Sequence, residues 1–355
     1  MRTEAPDSIA DLLAARLPDS PDVYLQKIDL PGQVLLLVQL DPTAYRAASF
    51  LDDRILGPDT RGAWIALSRA AHALRTVSSA RPLHFIFHTG HVGSTLVSRL
   101  LDETGTVLSL REPLPLRTLA EVHDVLGQVD SLVSGEDFDL LLSMFLRSWS
   151  RGYDATGSVV LKATSSTGRL ATKILTRAES ARAIYMNLRA EPYLATLLAG
   201  QNSPTDLRGH APERVRRLRL RVAAPIAPLY SMSIGELAAL AWLVETFAQR
   251  DALAHFHARV IAVDFDEFLA DVAGAMQRIV GHFDLGVGAG YLAEVARSPV
   301  LTRYSKAPEY AYTSDVRARV LRDSQKNNRE EIRKGLAWLE RLAQADPAAA
   351  KIVGV

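Results

Sequence analysis

The run LHFIFHTGHVGSTLVSRLL, residues 83–101, constrains this chain more than any other stretch. A short apolar, β-rich segment meets a loop with two glycines. The loop then gives way to Leu96, Leu100 and Leu101 at helical spacing. That order predicts strand, turn and helix. Glycines let the backbone turn so that several N–H groups converge on one point. The new helix adds unpaired N–H groups and the positive end of its dipole. Ser94 and Thr95 place hydroxyls in its first turn. A plain strand-to-helix turn is the alternative, but the paired hydroxyls favour an anion site made of Gly90, His91, Val92, Gly93, Ser94 and Thr95. The ATP-binding form of such a loop ends in glycine, lysine and a hydroxyl residue. Here Ser94 stands where that lysine would be, so the β- and γ-phosphates of ATP would lose their main charge partner.

From residue 82 onward, short β-rich runs alternate with helical patterns. The runs are residues 84–88, 106–110, 159–162, 183–188 and 259–265; helical spacing is clearest at 94–103 and 236–250. Alternation of this kind predicts an α/β fold, a three-layer sandwich with a mostly parallel sheet like that of P-loop NTPases. Ligands of such sheets bind beyond the carboxyl ends of the strands. Ahead of this block, residues 1–80 read as a small α+β extension. It comprises a helix at 8–16, strands at 23–30 and 33–40 joined by Pro31-Gly32, and helical patterns at 43–56 and 62–74. The expected division is therefore 1–80 and 81–355. Residues 313–345 read as helical and charged.

Composition narrows the chemistry. There is no cysteine among the 355 residues, which removes disulfides, thiolate metal sites and cysteine nucleophiles. A net charge of +1 offers no global field for nucleic acid or a membrane surface. The first residues include Glu4, Asp7 and Asp11 and no apolar run, and no run approaches the ~20 residues of a membrane span. A cytoplasmic protein acting on a small molecule is the expectation. The pairs His88/His91 and His255/His257 invite a metal reading, but no carboxylate cluster adjoins His88, so no metal is expected.

Gly93-Ser94-Thr95-Leu96 resembles the G-T-T-L core of the sulfotransferase phosphate loop. In that family the loop holds the 5′-phosphosulfate end of 3′-phosphoadenosine 5′-phosphosulfate. Gly90 stands for the family's proline, His91 for its basic residue and Val92 for its serine. The resemblance implies this nucleotide as co-substrate and a hydroxyl or amine as acceptor. It also implies His91 as support for the leaving group, with His88 or Lys306 as substitutes. Glu112, after the second strand, corresponds to the glutamate that some branches use as base. The segment from Ala183 through Leu188 to Arg189, Pro192 and Thr196 resembles the motif whose arginine and serine hold the 3′-phosphate, which implies Arg189 and Thr196. The run 261–271 resembles a late structural segment of the family, and Arg333-Lys334-Gly335 its closing loop, although that triplet falls within a helical pattern.

Three further segments are read from the residues alone. Lys162 ends a strand before Thr164, Ser165 and Ser166, which suits either an oxyanion or a solvated loop. Tyr304 and Lys306 precede a proline-containing loop that could close over a ligand. Arg214, Arg217 and Arg221 share one helical face, as a charged surface or a site for an acidic acceptor or the nucleotide's 3′-phosphate. The expectation is a sulfotransferase-like enzyme; a P-loop kinase or NTPase and an inactive nucleotide-binding module are the alternatives.

Overall fold

The computed structural model describes residues 8–354; Glu4 and Asp7, read above against a leader, lie outside them. Ser8 caps the helix Ile9–Arg16 by accepting from the Asp11 N–H. Strands β1 (Val23–Asp29) and β2 (Val34–Gln39) form the expected hairpin, and β3 (Gly62–Ala66) adds to it as a third antiparallel strand. This corrects the helical reading of 62–74, of which only Leu67–Ala73 is helix. Exposed Trp64 and buried Ile65 alternate as a ladder requires, and pairing with β2 overrides local preference. The helical reading of 43–56 is likewise shortened to Pro42–Ala47 and a 3-10 turn at Asp53–Ile55. Between them the chain is drawn out by two backbone bonds, from Leu51 N–H to the Arg111 carbonyl (2.6 Å) and from Leu114 N–H to the Leu51 carbonyl (3.1 Å).

The central sheet holds β4 (Leu83–His88), β5 (Val107–Arg111), β6 (Ser158–Lys162), β7 (Ala183–Asn187) and β8 (Val260–Asp264). Every pairing is parallel and the order is β5-β6-β4-β7-β8. The fold is thus α/β, with a parallel sheet between two helical layers. Side chains of β4 show why: Ile86 packs into one apolar cluster while Phe85 and Phe87 pack into another across the sheet. Ile86 faces the phosphate-loop helix Ser94–Asp102 and the long helix Ile234–His255. The opposite face is covered by Gly135–Trp149 and by the N-terminal strands, whose Leu25 and Leu37 share that cluster. Arg151, fully enclosed, donates to the carbonyls of Leu17, Ser20 and Val23 and ties the N-terminal strands down.

The strand order matters because β5 and β7 leave β4 in opposite directions, which opens a crevice at the carboxyl end of β4. Strands β9 (Arg303–Tyr304) and β10 (Ala307–Ala311) form a hairpin over that end. The chain finishes with helices Ser314–Asn327, Arg329–Ala345 and Pro347–Val353. Arg333 and Lys334 lie within the second of these, paired with Glu330 and Glu331. Gly335 is the point where that helix meets Gly235 of the long helix, with no room for a Cβ. Among the described residues no helix is long and apolar enough to cross a membrane.

Candidate active site

The loop after β4 takes the shape its glycines allow. Gly90 (φ 108°), His91 (55°) and Gly93 (72°) all lie in the left-handed half of backbone space, an arrangement that turns successive N–H groups inward. Gly93 has a second constraint, because a Cβ there would overlap the Phe265 ring. The backbone N–H groups of His91, Val92, Gly93, Ser94, Thr95 and Leu96 have no hydrogen-bond partner among the described residues. Thr95 Oγ1 is buried and equally without a partner. Val92 contributes only its backbone, since its side chain is in the core. Converging donors that nothing in the protein satisfies are the signature of an anion cradle.

His88 braces this loop. Its Nε2 lies 2.8 Å from the Ala163 carbonyl, which can only accept, so Nε2 carries the proton. Nδ1 then accepts from the Gly90 N–H at 3.1 Å. Burial, reinforced by the Lys162 ammonium, holds its pKa well below the ordinary value, so the ring is neutral. With both nitrogens engaged, His88 positions the loop and supplies no charge. His91 presents accessible ring surface in the hollow of the cleft. The packed protein around it, then the Lys306 and Lys162 ammonium groups, push its pKa down to about 4. It too is neutral at neutral pH in the free protein.

Glu112 follows β5 with φ 52°, a left-handed conformation that costs a non-glycine residue on the order of 1–3 kcal/mol. Its N–H donates to the Lys162 carbonyl at 2.7 Å, and its carboxylate meets the Lys162 ammonium and, at 3.2 Å, Thr164 Oγ1. The partner is therefore Lys162, not the neighbouring Arg111. Burial pushes the Glu112 pKa up, but Lys162 and the surrounding positive charge outweigh it, and the result is about 2. Lys162 is fully enclosed; burial lowers its pKa to about 8 although Glu112 opposes the shift. Lys306, from the hairpin, has no ion-pair partner among the described residues and stands over the Phe50 ring at 5.9 Å, as Lys162 does. Arg54 stacks on that same ring at 3.4 Å.

Two arginines that bind no ligand fix these pieces. Arg111 is wholly buried, pairs with Asp102 on the phosphate-loop helix and donates to the carbonyls of Tyr45 and Ala48. Arg99 donates to the Ser305 carbonyl (2.7 Å) and to Ser49 Oγ (2.7 Å), joining the helix, the hairpin and the N-terminal unit.

A cleft of about 590 Å³ opens from the loop, within the size range of small-ligand pockets. His88, His91 and the residues from Val92 to Leu96 form one end. Thr196, Phe265, Arg303, Tyr304, Lys306 and Arg317 form the rest, so the hairpin is its roof. Of the residues singled out from the sequence, His88, His91, Val92, Gly93, Ser94, Thr95, Thr196, Tyr304 and Lys306 line this cleft. Gly90 lies beside them at the turn. Arg189 does not line it, being exposed at the start of helix Ala190–Leu198. Thr196 Oγ1 donates to the Pro192 carbonyl at 2.7 Å and would have to turn to serve an anion. Phe50, Arg54 and Arg317 were not singled out, and Phe265 and Arg303 only as members of the runs 261–271 and 302–306; Arg317 lies in the charged helix Ser314–Asn327, where nothing in the sequence sets it apart from Arg319 and Arg322.

Among the described residues no group of three or more histidine and carboxylate side chains is placed to hold a metal. No protein-family model matches the chain, and no curated protein does. Solved structures similar to it are sulfotransferases. Mouse sulfotransferase SULT7A1 complexed with PAP is 10% identical over 80% of this chain and 92% of its own, with a TM-score of 0.39. Sulfotransferase STF9 from Mycobacterium avium is 14% identical over 92% of this chain and 97% of its own, TM-score 0.37. The sulfotransferase domain of the Synechococcus PCC 7002 olefin synthase is 15% identical over 69% and 94%, TM-score 0.36. At such identities the chemistry has to be read from this chain's own residues.

Proposed function

We propose that this protein is a sulfotransferase that moves a sulfuryl group from 3′-phosphoadenosine 5′-phosphosulfate to the hydroxyl or amine of a small molecule. The observation that carries the reading is the cradle of unpartnered N–H groups from His91 to Leu96, lacking the lysine an ATP γ-phosphate needs, with a buried Glu112–Lys162 pair at its edge. The cradle suits the 5′-phosphate. The far end of the cleft, where Thr196 lies with the exposed Arg303, suits the 3′-phosphate, since a guanidinium can grip phosphate with two parallel bonds.

In the transfer, the acceptor oxygen forms a bond to sulfur as the bridging sulfur–oxygen bond breaks, and the electron pair leaves on the phosphate oxygen. The acceptor proton passes to the Glu112 carboxylate. At a pKa near 2 Glu112 is a weak base in the free protein, but it is ionised and aimed. Negative charge brought beside Lys162 and Lys306 offsets the field that depresses it, so donor binding raises its basicity. Lys162 and Lys306 then stabilise the departing oxygen, the role for which neutral His91 is unsuited. The N-terminal unit supplies Phe50 and Arg54 as a wall on the Glu112 side.

Calorimetric titration with adenosine 3′,5′-bisphosphate tests the reading, with AMP and Mg-ATP as controls. Binding at least ten-fold tighter than either control is expected, together with transfer of labelled sulfate that Glu112→Gln abolishes. Equal affinity for all three nucleotides, or preference for Mg-ATP, overturns it.

A further inference from the structure

Among the described residues one part-buried cation has neither a counter-charge nor, at two of its nitrogens, a hydrogen-bond partner. Arg214, on helix Ser203–Arg219, has Nε and Nη1 shielded from solvent with no hydrogen-bond partner, and it makes no ion pair among the described residues. Its neighbours are paired: Arg217 with Glu213 and Glu245, Arg221 with Asp251, and Arg169 with Asp124 and Glu213. Glu213, the acid adjacent to Arg214 in the helix, is thus engaged by other arginines. A shielded, unpaired guanidinium is costly, and an entering oxyanion removes that cost.

Its position says which ligand would enter. The Arg214 charge is among those acting on the His91 ring and on the Tyr193 phenol. Tyr193 donates to the Thr89 carbonyl at 3.1 Å, and a Cβ on Gly90 would stand 3.3 Å from the phenol oxygen and 3.5 Å from Ser165 Oγ. Glu213, the residue before Arg214 in its helix, reaches Arg169 of the turn Ser165–Leu170 at 3.3 Å, so the Arg214 helix packs against the segment that begins with Ser165. Ser165 is half-buried and its hydroxyl has no hydrogen-bond partner among the described residues. Neither Arg214 nor Ser165, Thr164, Glu112 or Lys162 lines the 590 Å³ cleft. Glu112 and its partners form a polar region beside the cleft lining, which it meets at Lys306.

We propose that Arg214, assisted by Ser165, binds an oxyanion carried by the acceptor, so that the substrate class is a hydroxyl or amine compound bearing a carboxylate, sulfonate or phosphate. This rests on the sulfotransferase reading and specifies its acceptor. The anion docks beside Gly90 while the nucleophilic end reaches Glu112.

The test uses the full chain saturated with adenosine 3′,5′-bisphosphate, titrated with 4-hydroxyphenylacetate, 4-hydroxybenzenesulfonate, 4-ethylphenol and tyramine. These share a phenol and differ in charge. The anionic phenols are expected to bind at least ten-fold tighter than the neutral and cationic ones; which of the two binds tighter tells carboxylate from sulfonate. Arg214→Gln removes the preference, Arg214→Lys restores part of it, and the affinity for adenosine 3′,5′-bisphosphate is unchanged in both. Because Arg214 is unpaired, Arg214→Met is expected to melt no lower than the wild type without ligand, a result a structural arginine would not give. The assignment is overturned by absence of a charge preference (including binding of none of the phenols), by weakened nucleotide binding in Arg214→Gln, or by a lowered melting temperature in Arg214→Met. Failure of the wild type to bind the bisphosphate counts instead against the sulfotransferase reading, and the phenol comparison is then run on the free protein.

Discussion

Replacing Lys162 by methionine perturbs the centre of the site in a way whose size follows from the structure. The substitution keeps an unbranched stem in a fully enclosed position and removes the ammonium from Glu112. In the wild type the Glu112 pKa falls from 4.5 to about 2. A displacement of that size corresponds to roughly 3 kcal/mol favouring the folded, ionised form. Lys162 falls from 10.5 to about 8, a cost of similar size, so the pair as a whole adds little to stability. Removing one partner is another matter. Glu112 is then a buried carboxylate without its cation, and breaking such pairs costs about 3–5 kcal/mol.

The pH dependence gives the sign. In the wild type the folded pKa of Glu112 is depressed, so its contribution is present above pH 4.5 and is lost as pH falls toward 2. In Lys162→Met burial dominates and the folded pKa lies above that of the unfolded chain. The deficit is then absent below pH ~4.5 and grows as pH rises through the neutral range. Urea unfolding of the wild type, Lys162→Met, Glu112→Gln and the double variant at pH 5 and pH 7.5 measures this. The double variant is expected to be more stable than Lys162→Met at pH 7.5, with a coupling energy of about 2–4 kcal/mol. A cost below about 1 kcal/mol for Lys162→Met, or additive single effects, would refute the charge argument.

Three other outcomes follow from the same geometry. The His91 ring should titrate near pH 4 by NMR in the free protein, and its midpoint should rise by at least ~1 unit when adenosine 3′,5′-bisphosphate brings negative charge beside it; an unmoved midpoint removes His91 from the anion site. Gly93→Ala, which meets both a left-handed backbone and the Phe265 ring, should weaken nucleotide binding by at least ~10-fold in calorimetry, and a fully binding variant contradicts the loop's geometry. Arg99→Ala should raise amide exchange in residues 303–311 and increase nucleotide off-rates while leaving the melting temperature within a few degrees, since its bonds to Ser305 and Ser49 join the roof to the helix beneath it.

The sheet was legible because its strands are short apolar runs, buried on both faces in β4, β5, β6 and nearly all of β7, a pattern that local composition carries by itself. The turn after β4 was legible for a related reason: its conformation needs glycine at 90 and 93, and that need is written at those positions. Where a segment's shape comes from a distant partner, sequence pattern misleads. Residues 62–66 carry no marked strand signal and become one through β2, while 49–51 are drawn out by Arg111 and Leu114. The cations of the site show the same division. Lys162 could be noticed at the end of a strand, but that it faces Glu112 depends on β5 and β6 lying side by side in register, with Arg111 opposite Lys162.

Charge accounts for why one side of the loop differs from the other. Around Glu112 there are Lys162, Lys306 and Arg54, while Glu213, Glu245 and Asp251 are engaged by arginines other than Arg214. One carboxylate thus stands among several cations, and it is the group the proposed transfer uses as base. Were the cations present only to hold Glu112, Lys162 alone would suffice, since its contact is direct. Lys306 and Arg214 add positive charge that the folded protein leaves unmatched, and both depress the His91 pKa. On the proposed reading the excess is matched when both anions are bound, the nucleotide in the cleft and the acceptor at Arg214. This predicts mutual reinforcement: loading the cleft with the bisphosphate while leaving the sulfuryl position empty removes part of the repulsion among the cations, and an anionic acceptor removes the rest. Salt should therefore weaken both ligands together, more steeply for an anionic phenol than for 4-ethylphenol. Equal salt slopes for the two phenols would mean that Arg214 and Lys306 answer to the nucleotide alone.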